Sequence, residues 1–186
     1  MKTILILGGA RSGKSRLAVE MAQKRGGEVL FVATAEARDD EMKRRVKAHR
    51  QTRPPEWKTL EATLHIGRQI KQNIGRARTV LIDCITLLVN NIFEKYGENA
   101  GPSKLERAVE AEIKALLDCA AQSDALFIIV SNEVGLGIIP ADGVSRLYRD
   151  LLGRANQMLA ARADEVYLLV AGLPVALKKS NPDIDS

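Results

Sequence analysis

Five short apolar runs punctuate the chain at nearly regular intervals. They occupy residues 4–7, 29–33, 80–84, 126–131 and 166–170. Their apolar residues do not alternate with polar ones, as they would in a strand with one wet face. Short continuous runs of this kind are typical of strands buried on both faces of a parallel sheet.

Helical patterns fill most of the intervals between these runs. They cover residues 14–25, 39–51, 64–74, 105–122 and 144–163. The alternation predicts an α/β fold with a mostly parallel sheet flanked by helices. Residues 168–178, around Ala171-Gly172-Leu173-Pro174, predict a C-terminal hairpin, and residues 180–186 are expected to form a disordered tail. Residues 1–179 are therefore expected to form one domain.

Composition and charge narrow the functional classes. A chain of 186 residues with 46% hydrophobic content can bury a core without disulfides or metals, and Cys84 and Cys119 are expected to be reduced packing residues. No apolar run is long enough for a membrane span, which predicts a cytoplasmic protein. The net charge is +5, but basic and acidic residues are interleaved and aromatics make up only 4%, which disfavours a nucleic-acid partner.

A glycine-rich motif joins the first predicted strand to the first predicted helix. It reads Gly8-Gly9-Ala10-Arg11-Ser12-Gly13-Lys14-Ser15, the GxxxxGKS spacing of a phosphate-binding loop. Gly8 and Gly13 permit the curvature that aims backbone N–H groups at a phosphate, Lys14 reaches the β and γ phosphates, and Ser15 offers its hydroxyl to Mg²⁺. The alternative, a chance match, is disfavoured by the strand before the loop and the helix after it. The motif predicts that the chain binds a nucleoside triphosphate.

Two further residues are candidates for chemistry. Asp83 closes the third apolar run, where it would hold Mg²⁺ directly or through water, or else cap the next turn. His49 is one of only two histidines and lies in the basic segment 43–53. Neighbouring cations would keep its imidazole neutral and able to attack phosphorus. By composition alone, an exposed histidine on a solvated helix face explains it better, and His65 is expected to be a surface or packing residue.

Blocks along the whole chain, except its last few residues, resemble one family. They are the phosphate loop, Ala33-Thr34-Ala35, Asp39-Asp40-Glu41-Met42 with Arg45, His49, Arg53-Pro54 and Trp57, Asp83-Cys84-Ile85-Thr86 with Asn90-Asn91, Ser131 to Pro140, Gly153 to Gln157, and Ala163 to Val166. This order resembles the bifunctional adenosylcobinamide kinase/adenosylcobinamide-phosphate guanylyltransferases.

The resemblance implies a P-loop NTPase-like (RecA-like) fold and two reactions. The first phosphorylates adenosylcobinamide with ATP or GTP. The second transfers GMP from GTP to that phosphate through a GMP-histidine, giving adenosylcobinamide-GDP and pyrophosphate. His49 matches the family's nucleophile. A homotrimer is implied as well.

The resemblance also assigns a nucleotide site. The phosphates would be held by Gly8, Gly9, Ala10, Arg11, Ser12, Gly13, Lys14 and Ser15, and the Mg²⁺ by Ser15 and Asp83. The nucleotide would lie beside Thr34, Ala35 and Glu36, and its guanine or ribose would contact Glu61. The loop after the nucleophile would consist of Arg50, Gln51, Thr52 and Arg53. For Glu61 the alternative is a glutamate at a helix start. Ser131 to Pro140 and the helix containing Asn156 are candidates for subunit contact or substrate entry, or for ordinary packing.

Two other functional classes remain open from the sequence. A P-loop kinase of another small molecule would have no need of His49. A nucleotide-dependent switch or nucleic-acid-binding ATPase would show polymer-stimulated hydrolysis and a steep salt dependence. The scattered charge and the few aromatic residues argue against this last class.

Overall fold

The computed structural model describes residues 2–35, 53–97 and 100–179, which contain seven strands and five helices. The strands are β1 (Lys2–Gly8), β2 (Val29–Ala33), β3 (Lys58–Glu61), β4 (Thr79–Asp83), β5 (Leu126–Val130), β6 (Glu165–Val170) and β7 (Leu173–Lys178). The helices are α1 (Lys14–Arg25), α2 (Ile66–Asn73), α3 (Ile85–Tyr96), α4 (Pro102–Ala121) and α5 (Gly143–Arg162).

All seven strands belong to one sheet, in the order β3-β2-β4-β5-β1-β6-β7. Every pair is parallel except β6 and β7, which form the predicted antiparallel hairpin. The predicted α/β class and mostly parallel sheet are confirmed. Because β5 lies between β1 and β4, the strand that ends in Asp83 is one place removed from the strand that leads into the phosphate loop.

The two faces of the sheet are covered unequally by the described helices. On one side, here called the four-helix face, α2 to α5 pack apolar residues such as Ile70, Leu88, Ile113 and Leu152 against the strands. On the other side, here called the α1 face, α1 contributes Ala18 and Ala22 to a smaller cluster. The main core therefore lies on the four-helix face.

Specific contacts fix the helices on the four-helix face. Glu112 of α4 is buried, and its Oε1 accepts a hydrogen bond from the N–H of Ile66 at 2.7 Å, which satisfies an amide at the start of α2. A Cβ on Gly67 would lie 2.4 Å from the carbonyl oxygen of Ala115, so only glycine allows α2 and α4 to approach so closely. Asp142 caps α5 by accepting from the N–H of Ser145 at 2.7 Å.

Two elements were not predicted from the sequence. Strand β3 has only Leu60 as an apolar residue and is mostly exposed at the sheet edge, so it lacks the continuous run that marks the inner strands. Helix α3 follows β4 after the single residue Cys84, and its hydrophobic stretch continues that of the strand. The predicted helix over 39–51 and the predicted tail over 180–186 lie outside the described residues. Among the helices of the described ranges, none combines the length and apolar character that crossing a bilayer requires.

Candidate active site

The phosphate loop connects β1 to α1 at the carboxyl edge of the sheet. Gly8 has φ +151°, and a Cβ there would lie 2.7 Å from both the carbonyl oxygen of Leu169 and the Oγ of Ser12. Gly13, the N-cap of α1, has φ +96°, and Arg11 lies in the left-handed region with φ 57°. Positive φ values are cheap for glycine alone, which explains the two glycines that frame the motif. The N-terminus of α1 therefore lies at the loop, where its free N–H groups and helix dipole can bind an anion.

Lys14 is the most deeply placed cation of the loop. It is only 6% exposed, and its Nζ donates to the carbonyl oxygen of Gly9 at 2.6 Å and to Ser12 Oγ at 3.4 Å. Burial lowers the pKa of Lys14, while the nearby Cys84 and Asp83 act in the opposite direction. A phosphate in the loop would offer the buried ammonium group a full negative charge in place of these neutral acceptors.

Two carboxylates lie in one row, at the ends of the strands on either side of β2. Ala33 of β2 pairs with Asp83 of β4 on one side and with Glu61 of β3 on the other. Side chains in one row of a parallel sheet share a face, and this is the α1 face because Ala33 belongs to its cluster. With a strand spacing of about 4.8 Å, the Cα atoms of the two acids are about 10 Å apart, and the small Ala33 lies between them.

Thr34 holds the chain just beyond this row. Its side chain is fully buried, and its hydroxyl donates to the carbonyl oxygen of Cys84 at 2.7 Å and accepts from the N–H of Cys84 at 2.8 Å. The N–H of Thr34 donates to the carbonyl oxygen of Asp83 at 3.3 Å. These three bonds fix the backbone on both sides of the Asp83–Cys84 peptide, which is cis.

Asn91 of α3 extends this network to β3. It is 5% exposed, and its Nδ2 donates to the carbonyl oxygens of Thr34 at 2.9 Å and Thr63 at 3.0 Å. One buried amide therefore ties together the ends of the strands that carry Ala33 and Glu61. We call Thr34 and Asn91 the edge bracket.

A surface pocket of about 440 Å³ opens beside Glu61. It is lined by Arg53, Pro54, Pro55, Trp57, Thr59 and Glu61. The guanidinium carbon of Arg53 lies 3.6 Å from the centre of the Phe31 ring, a cation–π contact, and Trp57 packs against the cluster of the α1 face. Because Phe31 belongs to β2 and Ala35 follows that strand, residues 35 and 53 both lie close to β2.

The structure places the described part of the sequence-predicted site in two groups. The phosphate loop, Thr34, Ala35 and Asp83 lie at the carboxyl edge of the sheet, and Glu61 and Arg53 line the pocket beside β3. The helix-start alternative for Glu61 is wrong, because Glu61 is the last residue of β3. The N-cap of α3 is Cys84 rather than Asp83. Glu36, His49, Arg50, Gln51 and Thr52 lie outside the described residues.

Both cysteines are free, as expected. Burial and the neighbouring Asp83 raise the pKa of Cys84 to about 11, so the thiol stays protonated at neutral pH and is no nucleophile. Its backbone, held by Thr34, is the part of this residue that shapes the site.

A comparison with known protein families shows to which family the chain belongs. The family model described as cobinamide kinase / cobinamide phosphate guanyltransferase matches residues 4–177. The chain belongs to this family. The match runs from β1 to β7 and so includes the phosphate loop, both carboxylates and the segment that contains His49.

Curated relatives from three bacteria agree with the family assignment. The bifunctional adenosylcobalamin biosynthesis protein CobU of Escherichia coli (strain K12) is 42% identical over 180 residues, which cover 94% of this chain and 99% of the relative. The protein of the same name from Salmonella typhimurium is 40% identical with the same coverage. The bifunctional adenosylcobalamin biosynthesis protein CobP of Pseudomonas aeruginosa is 42% identical over 174 residues, or 94% of this chain and 96% of the relative.

A solved structure supports the fold alone. The RadB recombinase superposes with a TM-score of 0.53 over 90% of this chain and 73% of its own, at 14% sequence identity. The predicted P-loop NTPase-like (RecA-like) architecture is confirmed by this likeness together with the sheet order.

The oxygen atoms available at the loop fit Mg²⁺. Ser15, the second residue of α1, carries a hydroxyl, and Asp83 ends β4 with a carboxylate whose charge raises the pKa of Lys14. Magnesium prefers oxygen ligands and is commonly bound by one or two protein groups together with substrate phosphates and water. A hydroxyl and a carboxylate beside a phosphate loop meet that description.

Sequence reasoning missed the edge bracket as a structural device. Asn91 was visible only as part of a family block, and Thr34 only as a neighbour of the nucleotide. The available signal was Asn91, a polar side chain on the buried side of a mostly apolar helix. Recognising that signal requires the prediction of α3 itself.

Proposed function

We propose that this chain performs both reactions named by its family, phosphorylating adenosylcobinamide with ATP or GTP and then transferring GMP from GTP to the resulting phosphate. The products of the second step are adenosylcobinamide-GDP and pyrophosphate. The observation that carries the proposal is the family match across residues 4–177, which includes a phosphate loop of the expected shape.

In the kinase step, the phosphate loop would hold the donor's phosphates. The hydroxyl oxygen of the acceptor attacks the γ phosphorus, and the bond from that phosphorus to the β–γ bridging oxygen breaks. Lys14 would offset the charge that develops on the bridging and γ oxygens, and the N–H groups at the start of α1 would add their dipole. When bound by Ser15 and Asp83, Mg²⁺ would neutralise charge on the phosphate oxygens.

In the guanylyl step, His49 would serve as the nucleophile. Its imidazole nitrogen attacks the α phosphorus of GTP, pyrophosphate leaves, and the phosphate of the phosphorylated corrinoid then displaces the histidine from the GMP. The segment that contains His49 joins Ala35, which directly follows β2, to Arg53, which stacks on Phe31 of that strand on the α1 face. This position is consistent with a nucleophile delivered to a nucleotide on the α1 face.

Guanine would be recognised in the pocket beside β3. Glu61 can accept hydrogen bonds from the N1 and N2 hydrogens of guanine, whereas adenine lacks that pair of donors at the matching edge. Arg53 and Trp57 line the same pocket and offer flat surfaces for a purine or its ribose. Glu61 would therefore favour GTP over ATP in the guanylyl step.

We further propose that the protein works as a cytoplasmic homotrimer. Exposed apolar side chains support subunit contact, with Leu136, Ile138 and Ile139 exposed by 83%, 95% and 69%. Sedimentation equilibrium of the purified protein tests the assembly, and a mass of one or two chains would contradict it.

Product analysis tests the two reactions directly. Purified protein is incubated with Mg²⁺, adenosylcobinamide and either ATP or GTP, and the corrinoid products are separated and weighed by mass spectrometry. We expect a phosphate ester with either donor or with one of them, and the GDP derivative only when GTP is present. Phosphate ester without any GDP derivative would favour a plain kinase. An unmodified corrinoid in all reactions would overturn the proposal.

A further inference from the structure

Glu133 lies beside the phosphate loop, and neither proposed step as described above uses it. The chain beyond β5 continues to pair with β1, since the N–H of Ser131 donates to the carbonyl oxygen of Ile6 and the N–H of Glu133 donates to that of Gly8, each at 3.0 Å. Gly8 is the first residue of the phosphate loop. The backbone of Glu133 is therefore bonded directly to the residue at which the loop begins.

The backbone around Glu133 is held from three sides. Besides the bonds to β1, the N–H of Asn132 donates to Thr86 Oγ1 of α3 at 2.8 Å, and the carbonyl oxygen of Asn132 accepts from Asn156 Nδ2 of α5 at 3.0 Å. Asn156 is itself 5% exposed. Contacts from a strand and two helices give the residue a fixed place, which is a requirement for a catalytic group.

The carboxylate of Glu133 is oriented but keeps room for a proton. Its Oε1 accepts from the N–H of Gly135 at 2.6 Å. A carboxylate has about four lone-pair positions, so one such bond leaves the other oxygen able to accept from a substrate hydroxyl. Glu133 is also only partly buried, which leaves the side chain accessible from solvent.

Three acidic residues follow or end strands at this edge of the sheet, and they differ in how far their strands lie from β1. Glu61 ends β3, four strand spacings from β1, or about 19 Å at about 4.8 Å per spacing. Asp83 ends β4, and its proposed partner is the cation. Glu133 follows β5, the immediate neighbour of β1, and so lies closest in the sheet order to the strand that carries the phosphates.

We propose that Glu133 is the general base of the kinase step, an inference that rests on the proposed function. As the acceptor hydroxyl attacks the γ phosphorus, its proton passes to the Glu133 carboxylate and is afterwards released to water. The new bond joins the acceptor oxygen to phosphorus, and the nucleoside diphosphate leaves with the electrons of the broken bond. The guanylyl step uses a histidine nucleophile and a phosphate acceptor that carries its own negative charge, so it has no need of this base.

The two steps provide an internal comparison for the test. Glu133→Gln keeps an oxygen that can accept from the N–H of Gly135, so the loop is preserved while the base is lost. Glu28→Gln, an exposed glutamate before β2 at the opposite edge, is the matched control. Three quantities are measured for each protein: the rate of cobinamide phosphorylation at several pH values, the incorporation of label from α-labelled GTP into the protein, and the affinity for GTP.

For Glu133→Gln we expect phosphorylation to fall by about 10²- to 10³-fold, within the range for loss of a general base. Protein labelling and GTP affinity should stay within about twofold of the wild type, as should every quantity for Glu28→Gln. Undiminished phosphorylation in Glu133→Gln, or equal losses in phosphorylation and labelling, would overturn the role of Glu133. A wild-type protein that phosphorylates no cobinamide would instead overturn the proposed function, and the role of Glu133 with it.

Discussion

The two faces of the sheet differ in what covers them. The four-helix face is sealed by apolar side chains from four helices, and many of them, such as Leu88 and Ile113, are completely buried. The α1 face is covered among the described residues by one helix, and it carries the phosphate-loop helix, Asp83, Glu61 and the pocket beside β3. One face holds the fold together, and the other leaves room for a substrate and carries the polar groups proposed to bind it.

This difference predicts that stability and chemistry can be changed separately. Substitutions on the four-helix face should alter the free energy of unfolding and leave the folded site unchanged. Substitutions on the α1 face should alter binding or transfer with little effect on unfolding. The edge bracket is the place where the two should be coupled, because Asn91 belongs to α3 on the four-helix face but bonds to the strand ends that carry the site.

Ile113→Ala should have the largest effect on stability. Ile113 is fully buried in α4, so its truncation leaves a cavity, and we expect a loss of about 2–5 kcal/mol in the free energy of unfolding. Leu173→Ala is the matched control, because Leu173 is 70% exposed and lies outside the proposed subunit contact, so its change should stay within about 0.5 kcal/mol. Urea denaturation measures both. GTP affinity below the unfolding transition should be unchanged in Ile113→Ala, and a large loss of affinity would break the separation of the two faces.

Lys14→Met should have the opposite effect, with a large change in the rate of phosphoryl transfer and a small one in the free energy of unfolding. The loss of the buried ammonium should slow phosphoryl transfer by about 10²- to 10³-fold, the range for removal of one charge-stabilising group. The free energy of unfolding should rise slightly at pH 7, because a methionine of similar length carries no charge to bury. A destabilised Lys14→Met protein would show that Lys14 serves the fold as well as the substrate.

The pH dependence of stability sharpens this prediction. Burial lowers the pKa of Lys14 below 10.5, so between the lowered value and 10.5 the unfolded chain binds more protons than the folded one. The contribution of Lys14 to stability therefore becomes more favourable as pH rises through this window. The stability advantage of Lys14→Met should shrink accordingly, which parallel urea titrations from neutral to alkaline pH would show.

Thr34→Val should affect both stability and the site. It leaves the N–H of Cys84 without its partner, and we expect a cost of about 1–3 kcal/mol in unfolding. Thr79→Val is a close control, because Thr79 is also fully buried but its hydroxyl has no hydrogen-bond partner within the described structure. Thr34→Ser keeps the hydroxyl and should recover most of the loss. Equal costs for Thr34→Val and Thr79→Val would remove the edge bracket from the account.

Glu61→Gln should have the smallest effect, confined to base preference. A glutamine oxygen can accept one hydrogen bond from guanine but its NH₂ group opposes the second, so the ratio of GTP to ATP affinity should fall by about tenfold. Competition of ATP against fluorescent GTP measures the ratio. An unchanged ratio would remove Glu61 from guanine recognition, and a parallel loss for both nucleotides would indicate a general role in the pocket.

Much of the fold was predictable because its inner strands are continuous apolar runs. β1, β2, β4 and β5 are buried on both faces, and the glycines of the phosphate loop mark the first turn by their spacing. Strand β3 was missed because at an exposed edge only Leu60 needs to be apolar. Helix α3 was missed because it follows β4 after one residue and continues the same hydrophobic stretch.

The residues of the site were only partly predictable for a similar reason. Lys14 and Ser15 belong to a local motif, but Glu61 and Asp83 come to lie in one row only through the pairing of β3 and β4 with β2. The role of Asn91 depends on two carbonyl groups distant in sequence, and that of Glu133 on a bond to Gly8. Such relations arise from strand order, which the sequence pattern does not specify.

Covalent labelling of the protein by GTP tests the central claim most directly. Wild-type protein, His49→Ala and His65→Ala are incubated with Mg²⁺ and α-labelled or γ-labelled GTP, denatured, and examined for acid-labile, alkali-stable label. The matched control, His65, precedes α2 and has a side chain that is 67% exposed. We predict label from α-labelled GTP alone, present in the wild type and His65→Ala and absent in His49→Ala. An absence of label in the wild type, with GTP binding intact, or label retained in His49→Ala, would contradict the account.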